Sequence, residues 1–176
     1  MIYREHKTLT GRGGAWFSDC NRYRYKLYRI WDDSLPLICF VMLNPSTADD
    51  LQLDPTLKRC KARAMKLGYG GFSVLNLFAY RATDPAEMKR QADPVGPEND
   101  ETILREVAQV DAAICGWGND GAHMQRAYAV TELLERVAAG KLFALKVNGD
   151  NGKGHPSHPL YLSYDLQPKP YRFLAW

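Results

Sequence analysis

Hydrophobic and polar positions along the chain change their period several times, and each change predicts an element. Over residues 23–31 aromatic or apolar side chains (Tyr23, Tyr25, Leu27, Tyr28, Ile30, Trp31) are interleaved with Arg24, Lys26 and Arg29, the period of two of a strand with one basic face. With Arg22, that face reads as a solvated edge that discourages strand pairing, or as a surface that tracks a nucleic-acid backbone. Asp32, Asp33 and Ser34 supply turn chemistry. Residues 37–43 are continuously apolar, which predicts a strand covered on both faces. The two strands and their turn predict a hairpin.

Further along, helical and strand periods alternate. Asp54 before Pro55 has the form of a helix N-cap, and Leu57, Cys60, Ala64 and Leu67 recur at helical spacing until Gly68. Residues 72–78 predict a buried strand, Asp84-Pro85 a short helix, residues 97–110 a helix, and 112–117 another strand. After the Gly118-Asn119-Asp120-Gly121 turn, Val130, Leu133, Leu134 and Val137 mark one face of a long helix, and 141–147 reads as the last strand. The expected fold is therefore a three-layer α/β/α sandwich: a mostly parallel sheet of about four strands plus an antiparallel edge strand, in a single domain over residues 1–176.

Composition narrows the class. A chain of 176 residues, 45% hydrophobic and 24% charged, is an ordinary globular domain. No apolar run approaches the roughly 20 residues of a membrane span, and the first ten residues lack the apolar core of a secretory signal, so a cytoplasmic protein is expected. Cys20, Cys39, Cys60 and Cys115 form no CxxC pair, and no metal or cofactor site is expected from their spacing. A net charge of +3 permits contact with phosphates without requiring it.

Candidate chemistry falls after the strands, where an open α/β sheet builds its ligand cleft. Asn44-Pro45-Ser46 is either a catalytic loop or a plain turn, and Asp49 and Asp54 are either water-activating carboxylates or, for Asp49, surface and, for Asp54, the N-cap. Asn76 closes an otherwise apolar strand, and a buried amide must find partners. Tyr80-Arg81 suits phosphate or base contact as well as an exposed Arg beside a core aromatic. Trp117 and Asn119 suit a pocket wall as well as packing, and His155, Ser157 and His158 share a loop with no apolar face to hide them.

Two resemblances attach to these segments. The runs MLNPSTAD, DPT, GYGG, NLFAYRATDP, GPEND, WG and HP-LYL resemble those of a bacterial and phage family of unknown function along nearly the whole chain. The order LNPS, VLN, WG, HPS is in turn similar to that of the uracil-DNA glycosylase superfamily, with Met42 where a Gly is usual and HPSHPLYL in place of HPSPLS. That likeness implies a uracil-DNA glycosylase-like fold and cleavage of a base–sugar bond, with no cofactor and no obligatory protein partner. By it, Asn44 would position the attacking water, Asn76 would read the base edge, His155 would stabilise the departing anionic base and Ser157 would grip a phosphate. The implied substrate is DNA with a damaged or modified base flipped into the pocket, in repair or against invading phage. A hydrolase or transferase acting on free nucleosides, and a non-catalytic nucleotide or nucleic-acid binding module, are the alternatives.

Overall fold

A computed structural model describes residues 1–47, 51–149 and 154–172. Its strands are β1 (Ile2–Thr8), β2 (Gly11–Phe17), β3 (Arg24–Ile30), β4 (Leu37–Met42), β5 (Gly71–Asn76), β6 (Ala112–Cys115), β7 (Leu142–Ala144) and the two-residue β8 (Lys169–Pro170). Its helices are α1 (Pro55–Lys66), α2 (Pro85–Lys89), α3 (Asn99–Gln109) and α4 (Arg126–Val137). All eight strands join one sheet in the order β1-β2-β3-β5-β4-β6-β7-β8.

This overturns the expected uracil-DNA glycosylase-like fold, with its sheet of about four mostly parallel strands and one antiparallel edge. The sheet is mixed: β5-β4-β6-β7 are parallel neighbours, while β1-β2, β2-β3, β3-β5 and β7-β8 pair antiparallel. The expected hairpin of β3 with β4 is also absent, because β5 lies between them and bonds to both. Apolar runs and, in β3, period-two alternation announce the strands read from the sequence, and β1 and β2 offer neither clearly. β1 (IYREHKT) is exposed along almost its whole length, and β2 carries Gly11, Gly13 and Gly14.

Those glycines answer the large side chains opposite. A Cβ at Gly13 would stand 2.5 Å from Cδ of Arg29, and one at Gly14 would stand 2.5 Å from the Arg4 carbonyl and 2.9 Å from the Tyr28 ring. The basic residues of β3 are therefore not a solvated edge. β3 has a strand on either side, and Arg24 and Arg29 are buried. Lys26 reaches Glu106 of α3 at 2.5 Å, both side chains largely buried.

Period-two alternation divides the parallel strands between two cores. Ile38, Phe40, Met42, Phe72, Val74 and Ile114 face α1, with Leu57, Cys60 and Ala64. Cys39, Val41, Leu75, Ala113 and Cys115 face the opposite way, toward Ile103 and Val107 of α3 and Val130 and Leu134 of α4. The α1 core also holds down the C-terminal segment: buried Arg63 donates to the carbonyls of Leu162, Ser163 and Leu166, and Nε of Arg59 donates to that of Leu160 at 3.0 Å. No helix among the described residues is long and apolar enough to cross a membrane.

Candidate functional site

A cavity of about 460 Å³ opens at the carboxyl edge of the parallel strands, on the α1 side. It is the place where loops leave β4, β5 and β6 together and helix N-termini point inward. Its walls include Asn44, Pro45 and Ser46 after β4, Asn76 at the end of β5, Trp117 and Asn119 after β6, and His158. Residues far apart in the chain thus meet for a topological reason: three parallel strands end on one edge.

Asn76 is the most constrained of them. Alternation places it on the α1 face with Phe72 and Val74, and it is only 3% exposed. Its Oδ1 is buried with no hydrogen-bond partner among the described residues, an arrangement worth about 1–3 kcal/mol of lost stability. Its backbone is clamped from the other face. Nδ2 of Asn99 donates to the carbonyls of Asn76 and Leu77, both at 3.0 Å, and Nε of Arg126 donates to that of Leu77 at 2.8 Å while its guanidinium pairs with Asp100. The GPEND run therefore acts on the far side of the sheet, where it holds the end of β5 in place.

Asn44 is also held. Its Nδ2 donates to the carbonyl of Ala82 at 2.8 Å, which leaves Oδ1 as its acceptor for the cavity. Ser46 donates through Oγ to Oδ2 of Asp54 at 3.2 Å, and Oδ1 of Asp54 accepts from the backbone N–H of Leu57 at 2.8 Å. Asp54 is thus the N-cap of α1 and a wall of the cavity at once. Asp120, which also lines the cavity, is paired with Lys89 of α2 at 2.6 Å. Thr83 and Pro85 also line the cavity, so the chain around the start of α2 reaches it.

The two histidines separate. His158 lines the cavity, and its Nδ1 accepts from the Leu160 N–H at 3.3 Å, so in the neutral ring the hydrogen sits on Nε2. Burial pushes its pKa down, against an opposing pull from Asp54. His155 is not on the cavity wall. Its Nδ1 accepts from Nε1 of Trp117 at 3.3 Å, and burial lowers its pKa as well. Trp117 itself is packed against Gly121, where a Cβ would lie 2.2 Å from the indole.

Of the other expected site residues, Ser157 donates to Oδ1 of Asn148 and lies off the cavity. Asn148 in turn donates to Oδ1 of Asn119 at 2.9 Å. Tyr80 packs edge-on against Tyr23, and Arg81 lies over Phe17 and donates to Asn21 and to the Thr47 carbonyl; neither reaches the cavity. Asp49 lies outside the described residues.

Arg24 is the wall residue that alternation hides. Phe17 pairs with Arg24 but Trp16 pairs with Lys26, so the register slips by one residue. Strict alternation would send Arg24 and Lys26 to the same face. The bulge turns Arg24 to the Phe17 side, where it is 4% exposed and lines the cavity with Met42 and Val74. Because β3 runs antiparallel to β5, its first residue sits at the edge where β5 ends. The four cysteines are free thiols, and Cys20 is the exposed one, its pKa lowered to about 7 by hydrogen bonds from Arg22 and Ser18.

No curated protein and no solved structure matches the chain. Residues 24–160, which include every described wall of the cavity except Tyr161, match the family described as "Protein of unknown function (DUF1643)", and the chain belongs to that family.

Proposed function

We propose that this cavity is the active site of an N-glycosyl hydrolase that removes a damaged or modified base from DNA. The observation that carries the reading is the Asn76 side chain: a buried amide at a strand end, backbone clamped, Oδ1 without a partner among the described residues, on the wall of a cavity large enough for a base. A base edge offers the donor that such a group lacks, and a fixed amide reads bases through paired donor and acceptor contacts.

The neighbours suit the chemistry. Base–sugar cleavage develops positive charge at C1′ and negative charge on the departing base, so it needs a held water, a donor toward the base and no redox group. Asn44 Oδ1 is an acceptor for that water, and neutral His158 carries its hydrogen on Nε2, a donor for a base oxygen. His158, rather than His155, takes this role here because it is the one on the cavity wall. Arg24 adds a guanidinium to the same wall, suited to an acceptor-rich substituent or edge.

The test is incubation with single- and double-stranded DNA carrying a panel of damaged and modified bases, followed by alkali to break abasic sites. Strand breaks at one kind of base are expected, with the Asn44→Ala rate lower by roughly 10²-fold at nearly unchanged affinity. Cleavage of free nucleosides with DNA left intact would move the site to a nucleoside hydrolase. Tight binding without product would make it a binding module.

A further inference from the structure

We propose that Asp54 is the catalytic carboxylate of this site, with capping of α1 as its second task. The proposal rests on the glycosylase reading and asks which group meets the positive charge that grows on the sugar. Asn44, at the end of β4, is a neutral amide already donating to the Ala82 carbonyl, so it holds water without balancing charge. Two carboxylates line the described cavity. Asp120 is answered by Lys89 at 2.6 Å. Asp54 has no ion pair among the described residues; it receives only the Leu57 N–H and the Ser46 hydroxyl.

The two oxygens of Asp54 divide its roles. Oδ1 takes the Leu57 N–H and caps the helix; Oδ2 lies toward Ser46, a residue of the cavity wall. In the reaction the C1′–N bond breaks and its electron pair leaves with the base, toward the Nε2–H of His158. The water oxygen bonds to C1′, and Oδ2 of Asp54 takes one of its protons. That proton passes to solvent and the departing base takes up one, so the net change is one water added across the bond. Before attack, the same carboxylate offsets the charge at C1′, an effect strengthened where water is excluded. Ser46, donating to Oδ2, keeps the carboxylate aimed.

Capping and charge are separable by one substitution. Asp54→Asn keeps a side-chain oxygen for the Leu57 N–H, and Asn caps as well as Asp, but it removes the charge. The thermal midpoint should stay within about 2 °C of wild type, while single-turnover cleavage falls by roughly 10³-fold. Asp54→Ser, which also caps, should show the same loss and guards against a local rearrangement caused by Asn. An independent measurement is binding to duplexes with a cationic pyrrolidine or a neutral tetrahydrofuran in place of the sugar. Wild type should prefer the cationic analogue by about 10²-fold, and Asp54→Asn should lose that preference yet bind the neutral analogue as before. Cleavage at the wild-type rate by Asp54→Asn, or a retained preference for the cation, overturns this proposal alone. A wild-type protein that excises no base and binds neither analogue overturns the glycosylase reading and this proposal with it.

Discussion

The antiparallel half of the sheet, β1-β2-β3, and the parallel half, β5-β4-β6-β7, solve the problem of burial in opposite ways. The parallel strands are apolar on both faces, and their small and large side chains fill two cores beneath helices. In the antiparallel half, glycines in β2 make room for the long side chains of β3, and charges such as Lys26 and Glu106 are buried in pairs. One half is held by volume, the other by matched gaps. The cavity lies at their junction, taking Asn44, Asn76 and Trp117 from the parallel edge and Arg24 from the antiparallel one.

Opposite substitutions should therefore be damaging in the two halves. Phe40 is fully buried, with its ring 6.2 Å from that of Phe72. Phe40→Ala should lower unfolding free energy by about 4 kcal/mol through lost burial and the cavity left behind. Gly14→Val should cost about 2–3 kcal/mol for the reverse reason, since its Cβ would meet the Arg4 carbonyl at 2.5 Å and the Tyr28 ring at 2.9 Å. Urea unfolding measures both. A tolerated Gly14→Val would mean that β1 and β2 shift freely, and the distinction between the halves would fall.

The same contrast explains what could be read before the fold was known. β4, β5 and β6 were legible because strands covered on both faces are written as unbroken apolar runs. Asn44, Asn76, Trp117 and Asn119 were legible as candidates because polar groups at the ends of such runs stand out. β1 and β2 were not, since the reason for Gly13 and Gly14 lies in residues about 15 positions away and appears only on pairing. Arg24 was missed because a one-residue bulge reverses the face that alternation assigns to it. Asp54 was legible both as a cap and as a candidate water-activating carboxylate, but its place on the cavity wall follows only once α1 is packed against β5. His155 and His158 are three residues apart, and spacing alone does not decide which of them faces inward.

Arg24 allows the junction itself to be tested. Arg24→Met keeps the length and most of the volume of the side chain while removing its charge. Removing one member of a buried charged contact costs stability, so the thermal midpoint should fall by several degrees and excision is compared per folded molecule. On that basis excision should weaken by about 1–3 kcal/mol in kcat/KM, the worth of a lost charged hydrogen bond to the substrate. If stability dropped and excision per folded molecule did not change, Arg24 would belong to the antiparallel scaffold and not to the cavity.

The smallest expected effect concerns pH at the parallel edge. Burial holds the His158 pKa below its ordinary 6.5, with Asp54 pulling weakly the other way and Tyr161 lying beside the ring. In the unfolded chain the imidazole takes up its proton near 6.5, before the folded one does, so the unfolded state binds more protons as pH falls. Stability should therefore be flat above that pH and decline below it, until the folded ring also titrates. His155, lowered by burial and bonded to the indole N–H of Trp117, contributes in the same direction. Urea midpoints at pH 7.5 and 5.5 should show the loss in wild type and a smaller loss in His158→Gln, with Phe40→Ala losing as much as wild type because its defect is one of volume. Excision by the folded protein should hold through that decline and fall only at lower pH, as the folded ring itself titrates, since a protonated His158 can no longer accept the Leu160 N–H that orients the ring. Equal pH losses in wild type and His158→Gln would place the ring in solvent, and the donor toward the departing base would have to be sought elsewhere on the cavity wall.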